Sequence, residues 1–314
     1  MDEPLWAWFA VVGLLLALLG VDLAANRSLG KPTVARALVA SGAWIAVSVA
    51  FGIGLGAVQG GAVAQQYFAG YLLEKALSVD NVFVFVVLFT ALAVPAYLQH
   101  RVLYYGVVGA LVLRACFIAA GVALLDHFSW VLYVFGAVLV VAGLRMVRPP
   151  QPVDPSGTLA VRAVKRVLPV TDGYRGDRFV VREDGRRWAT PLLVALMAIE
   201  ATDIVFATDS IPAVFGVTDD AFVVFTSNAF AVLGLRSLYF VFAAAADRFE
   251  YLRYGLAVLL VFIGVKLLID PVVHLSVVVS LAAIVVVLGT SILASLWWPR
   301  QRPAGREPPP GGSR

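Results

Sequence analysis

Apolar residues run in long blocks separated by short polar stretches, and the blocks exceed what the helices of a water-soluble core require. Crossing about 30 Å of hydrocarbon at about 1.5 Å of rise per residue takes about 20 mostly apolar residues. By that measure the pattern predicts nine spans, at 5–25, 34–58, 64–92, 99–124, 128–147, 190–217, 221–245, 252–269 and 273–297. The expected fold class is an all-α membrane protein of about nine transmembrane helices. Met1-Asp2-Glu3 makes an acidic start, and the apolar run behind it is longer than a typical signal h-region. The first span is therefore expected to be a helix and not a cleavable signal.

Where the pattern breaks, it divides the chain. Residues 1–60 hold the first two spans and 61–147 the next three. Residues 148–189 form a basic linker opened by Pro149, Pro150, Pro152 and Pro155, in which Asp184-Gly185 between β-forming residues predicts a small hairpin. Residues 190–270 hold spans six to eight, 271–298 the last span, and 299–314 a tail rich in Pro, Gly and Arg that is expected to be disordered. Basic residues alternate between loops: Arg27, Lys31 and Arg36, then Arg101, then the linker, then Arg248 and Arg253, then the tail. The intervening loops carry Asp126, Asp219, Asp220 and Asp270 and no Lys or Arg. Basic residues stay on the cytoplasmic side, so the amino terminus is expected outside and the carboxyl terminus in the cytoplasm.

Spans 3–5 and 6–8 resemble each other. Glu74 through Val82 matches Asp203 through Ile211, each reading acid, five residues, Asp, a small amide or hydroxyl, then a β-branched residue. Arg114 corresponds to Arg236, Tyr133 to Tyr254, Gly143 to Gly264 and Arg145 to Lys266. Three spans per unit is an odd number, so the second unit is expected upside down relative to the first. That is an inverted repeat, whose sites lie near the bilayer midplane.

Composition agrees with a lipid environment: 61% of residues are apolar and 14% charged, with a mean hydropathy of +0.89. The pI near 9.3 reflects basic residues spread as the orientation rule requires, which excludes nucleic acid as a partner. Cys116 is the single cysteine, so neither an intramolecular disulfide nor a thiolate cluster can form.

Chemistry enters with the charges inside spans 3 and 6: Glu74, Lys75, Asp80 and Asn81 in one, Glu200, Asp203, Thr208, Asp209 and Ser210 in the other. A carboxylate at mid-membrane costs about 2.5–3.5 kcal/mol even on a lenient insertion scale. Lys75, Arg114 and Arg236 are three cations against five acids, so structural ion pairs account for only part of the charge. The surplus, set beside neutral oxygen donors, predicts a cation site. Oxygen ligands suit Mg²⁺, Ca²⁺ and Mn²⁺, and His100, His127 and His274 all fall near span ends. Ser78, Ser227 and Asn228 are candidates for the pathway. Six residues turn a helix by about 240°, so neither Glu74 and Asp80 nor Asp203 and Asp209 share a face. Pro212, which cannot bond the carbonyl of Thr208, is expected to kink or break span 6 beside Asp209 and free that carbonyl as a ligand. Arg145 and Lys266 are expected to snorkel to the interface.

These motifs, with Thr190-Pro191, Glu200 through Ala213, Ser227-Asn228-Ala229-Phe230 and Gly234 through Phe240, resemble the TerC/Alx family of integral membrane proteins. The resemblance implies membership of the lysine-exporter superfamily, tellurium-resistance phenotypes and manganese export, with the acidic positions carried onto Glu74, Asp80, Glu200, Asp203 and Asp209. No nucleotide-binding signature is present, and no enzymatic activity is expected. The expectation is a multi-pass protein of the inner (plasma) membrane that exchanges a divalent cation, Mn²⁺ foremost, for protons and holds no permanent cofactor. Two alternatives stay open, an exporter of another small solute and a non-transporting scaffold for stress or insertion partners, as does a homo-oligomer.

Overall fold

The computed structural model describes residues 3–26, 34–128, 130–147, 166, 169–183, 185–243, 251–269, 272–273 and 275–297. Ten α-helices and one hairpin lie within them. They are α1 (Leu5–Asn26), α2 (Val34–Gln59), α3 (Gly61–Ala91), α4 (Ala96–His127), α5 (Val131–Met146), β1 (Val180–Glu183), β2 (Arg186–Ala189), α6 (Pro191–Phe215), α7 (Ala221–Leu233), α8 (Leu235–Ala243), α9 (Leu252–Ile269) and α10 (Val277–Trp297). The tail and most of the proline-rich half of the linker lie outside the described residues.

Six of the helices are long and apolar enough to cross a membrane, or seven if the bent pair α7 and α8 is one span. The two other expected spans are α3, which carries Glu74, Lys75 and Asp80 along its 31 residues, and α5, which has only 16. The protein is all-helical apart from the hairpin, and its outer helix faces are apolar. Trp6, Trp130 and Trp297 are exposed at helix ends, where amphipathic rings mark a membrane–water interface.

The expected break in span 6 falls elsewhere. α6 passes through Pro212 as one helix; Pro212 stands in its final turn, so only three helical residues follow the ring. The break comes in the next apolar block, where α7 and α8 meet at Gly234 with a bend of 44°. A Cβ on Gly234 would stand 2.9 Å from Lys75 Nζ and 3.1 Å from the Trp44 Cβ. Lys75 donates to the carbonyl of Ala231 at 3.1 Å, one of the carbonyls a helix end leaves without an intrahelical donor.

Lys266 likewise does not snorkel. It is buried, and its ammonium donates to the Gly216 carbonyl at 2.8 Å. Gly216 is the C-cap of α6, where the helix dipole and the orphan carbonyls favour a cation.

Glycines set the closest helix approach. α5 packs along α9, where a Cβ on Gly136 would lie 2.8 Å from the Gly264 carbonyl and one on Gly264 2.7 Å from that of Gly136. A Cβ on Gly143 would lie 2.7 Å from the Ala257 carbonyl. Small residues at such seams let backbones meet where lipid supplies no hydrophobic drive. At the bundle's other side, Arg236 of α8 donates to Asp22 of α1 at 2.7 Å, and Trp8 packs edge-on against Phe222 of α7.

The hairpin pairs Val180 with Ala189 through Glu183 with Arg186, and Gly185 turns it at φ +77°. The segment docks on the turn between α3 and α4. Tyr174 donates to the Leu92 carbonyl, Arg101 pairs with Asp177, and Phe179 packs edge-on against Tyr105.

Gly143→Leu should destabilise the protein by about 1–3 kcal/mol, the usual cost of forcing methylenes into a packed seam. Gly13→Leu, with nothing within 4 Å of its Cβ position, should not. Thermal unfolding of the detergent-purified variants, read by fluorescence-detected gel filtration, checks the difference. Asp22→Asn and Arg236→Gln should each lower the unfolding midpoint, and the double variant by less than their sum, because each single change removes one member of a partly buried ion pair.

Candidate ion-binding site

Four helices each deliver polar side chains to one interior point. Glu74 from α3, Arg114 from α4, Asp203 and Ser210 from α6 and Asn228 from α7 are all at most 3% exposed. Glu74 and Asp203 are the first acids of the two matched motifs, and the guanidinium of Arg114 joins them. Its Nη2 donates to Asp203 Oδ1 at 3.1 Å and its Nε to Asp203 Oδ2 at 3.4 Å, a forked pairing that holds orientation as well as charge. Its Nη1 donates to Glu74 Oε1 and to Asn228 Oδ1, with Ser210 Oγ at the outer limit, 3.5 Å. Asn228 in turn donates from Nδ2 to Glu74 Oε2 at 3.2 Å. Two carboxylates face one guanidinium, so the cluster keeps an excess of one negative charge when both acids are ionised.

Other expected site residues lie apart. Glu200 stands one turn before Asp203 on the same face of α6. It is half-buried, and its Oε2 is enclosed with no hydrogen-bond partner. Its carboxylate fills the place a side chain on Gly109 of α4 would take. Thr208 is exposed, its hydroxyl donating back to the Val205 carbonyl at 2.6 Å. Asp209 is half-buried, with Thr208 and Arg145 for neighbours. The continuous course of α6 thus keeps Asp209 off the face of Asp203, as six residues on a regular helix require. Asn81 is buried, and the side chain of Asp80 lies outside the described residues. Lys75 bonds the Ala231 carbonyl, and Arg236 bonds Asp22 instead of the central acids.

Ser78 and Ser227 are fully buried beside this cluster on α3 and α7; Ser78 Oγ has no partner, and Ser227 donates back to the Val224 carbonyl. Asn228, expected only to line a pathway, bridges Arg114 and Glu74 directly. Asp22 was missed altogether, although it is the one acid in an otherwise apolar first helix. Among the described residues no three Asp, Glu, His or Cys side chains stand together as a metal cluster. The convergent set is two carboxylates, an amide and a hydroxyl, all oxygen donors once the guanidinium is set aside. Such a set suits a hard divalent cation that retains water.

Comparison with known proteins agrees over nearly the whole chain. The family model for the integral membrane protein TerC family matches residues 59–303. An uncharacterized membrane protein of Myxococcus xanthus, STKORF319, is 46% identical over 301 residues, covering 95% of this chain and 94% of its own. Alx of Escherichia coli (strain K12), named as a candidate membrane-bound redox modulator, is 42% identical over 304 residues, covering 93% and 94%. The chloroplastic thylakoid membrane protein TERC of Arabidopsis thaliana is 46% identical over 254 residues, covering 80% and 66%. No solved structure matches. A match of this extent to the family model, carried by relatives aligned almost end to end, places the chain in the TerC family of integral membrane proteins.

Proposed function

We propose that the protein is a secondary transporter that moves a divalent cation, Mn²⁺ foremost, out across the plasma membrane in exchange for protons. The observation that carries this reading is the convergence of Glu74 and Asp203, with Asn228 and Ser210, on one buried point. Buried acids inside a membrane are retained where they serve a pathway or a site, and here they come from corresponding positions of two related segments. Nine spans with an inverted three-helix repeat complete the reading. The reciprocal contact of Gly136 and Gly264 supports it, because it joins the last helices of the two units.

Oxygen donors without His or Cys favour Mg²⁺, Ca²⁺ or Mn²⁺ over Zn²⁺ or copper. Expelling a divalent cation against an inside-negative potential costs about 4.6 kcal/mol per 100 mV, twice the single-charge value. With no nucleotide signature in the chain, inward protons are the natural counter-substrate. Carboxylates must be ionised to hold metal, and protonation releases it. The redox role in the name of the Alx relatives finds no dithiol here, since Cys116 is the only cysteine.

Asp203→Asn and Glu74→Gln should each reduce Mn²⁺ flux in proteoliposomes at least tenfold, while the protein still reaches the membrane. Flux in the parent protein should rise when the receiving side is made acidic and collapse with a protonophore, and Mn²⁺ affinity should weaken as pH falls from about 8 to about 6. Flux indifferent to the gradient and the protonophore would reject antiport. Undiminished flux in both variants would reject the site, and absence of any flux in the parent protein would favour a scaffold role.

A further inference from the structure

Arg114 occupies the position that a transported cation would need. Its guanidinium takes up oxygens of Glu74, Asp203, Asn228 and Ser210, the same donors a divalent ion would use, and it brings positive charge to their centre. A cation can enter this cage only if the guanidinium leaves. Glu200 stands near enough in the fold to offer it another partner.

Gly106, Gly109 and Ala110 lie along one side of α4, and Arg114 stands one turn beyond Ala110. A long side chain on a helix leans toward the helix amino terminus, so Arg114 leans toward Ala110, one turn back. A small cavity lies on this side, lined by Gly106, Ala110, Ile199, Asp203 and Leu235 among others. Glu200 stands against Gly109 with its enclosed Oε2 unpartnered. Asp203, one turn along α6, belongs both to the cage and to the cavity wall. A guanidinium that lets go of Glu74 and Asn228 can therefore pivot about Asp203 and take Glu200 as its new partner.

We infer that Arg114 is a tethered competitor for the transported cation, exchanging Glu74 for Glu200 when the ion binds. This inference rests on the divalent-cation reading above. In the empty state the guanidinium stands in for the ion and keeps Glu74 and Asp203 from facing each other unscreened. In the loaded state Glu200 holds it, and three carboxylates balance one guanidinium and one divalent ion. The return of Arg114 to Glu74 expels the ion, so the same residue that weakens binding speeds release.

The test measures Mn²⁺ binding to the purified full-length protein by calorimetry and by the metal-induced rise in unfolding midpoint, beside transport in proteoliposomes. Arg114→Gln should bind Mn²⁺ at least tenfold more tightly than the parent and turn over more slowly. Glu200→Gln should weaken binding severalfold when Arg114 is present and leave it unchanged in the Arg114→Gln background, a non-additivity expected only if the two side chains meet in the loaded state. Arg114→Lys keeps the charge but loses the forked pairing. It should bind Mn²⁺ more tightly than the parent, and it carries the test if Arg114→Gln does not fold. Binding unchanged or weakened in the folded Arg114 variants, or an equal effect of Glu200→Gln in both backgrounds, would overturn the inference while leaving a Mn²⁺-binding parent intact. Absence of any Mn²⁺ response in the parent and in every variant would overturn the divalent-cation reading together with it.

Discussion

A guanidinium enclosed between two carboxylates, inside a bundle whose exterior is made for lipid, constrains everything around it. Burying an unpaired charge is so costly that removing one partner of a buried ion pair typically destabilises a protein by about 3–5 kcal/mol. Arg114, Glu74 and Asp203 must therefore meet, and since they come from α4, α3 and α6, those three helices are tied by charge as well as by packing. Asn228 extends the tie to α7 by accepting from Arg114 and donating to Glu74. The two halves of the chain are joined at their most polar point. The apolar contacts around it fill the space that this meeting leaves.

Lipid offers no hydrogen bonds, so each helix end or bend buried in the bundle must be satisfied by the protein itself. Two lysines serve that need. Lys75 serves the Ala231 carbonyl just before the bend at Gly234, and Lys266 serves the Gly216 carbonyl at the end of α6. Both long side chains would be drawn to the interface if their only task were to reach water. They remain inside because α7 and α6 terminate inside, among neighbouring helices.

The helical class and the positions of the six or seven helices able to cross a membrane were legible because hydrocarbon thickness sets a length that apolar blocks must match. The hairpin was legible from Asp-Gly between β-formers, a purely local signal. The bend was not. Pro212 is the residue that carries a helix-breaking rule, yet its place in the last turn of α6 left little to break. Gly234, ordinary in sequence, takes that role because Lys75 and Trp44 approach it from other helices. Of the charges improbable in lipid, Glu74, Asp203 and Arg114 do converge on one buried point. Which acid would face which cation could not, since pairing depends on helix rotation and on partners such as Asp22 that no motif marks. Arg236, aligned with Arg114 by its place in the sequence, bonds Asp22 of α1 and not the central acids. Positions that look alike in sequence are unlike in wiring.

That asymmetry gives the site a direction. Glu74 and Lys75 are neighbours on α3, and both bond α7 within one turn, Glu74 through Asn228 and Lys75 through the Ala231 carbonyl. Whatever changes the partner of Glu74 therefore acts on the same turn of α7 that ends at the Gly234 bend. The corresponding place in the other half has no such linkage among the described residues. Asp203 answers to Arg114 and to the face it shares with Glu200, on a helix that continues unbroken to Phe215. A change of partner at the centre would thus be felt at a bend on one side and against an unbroken helix on the other. Unequal responses of this kind would suit the proposed carrier, whose site must open to one side of the membrane at a time.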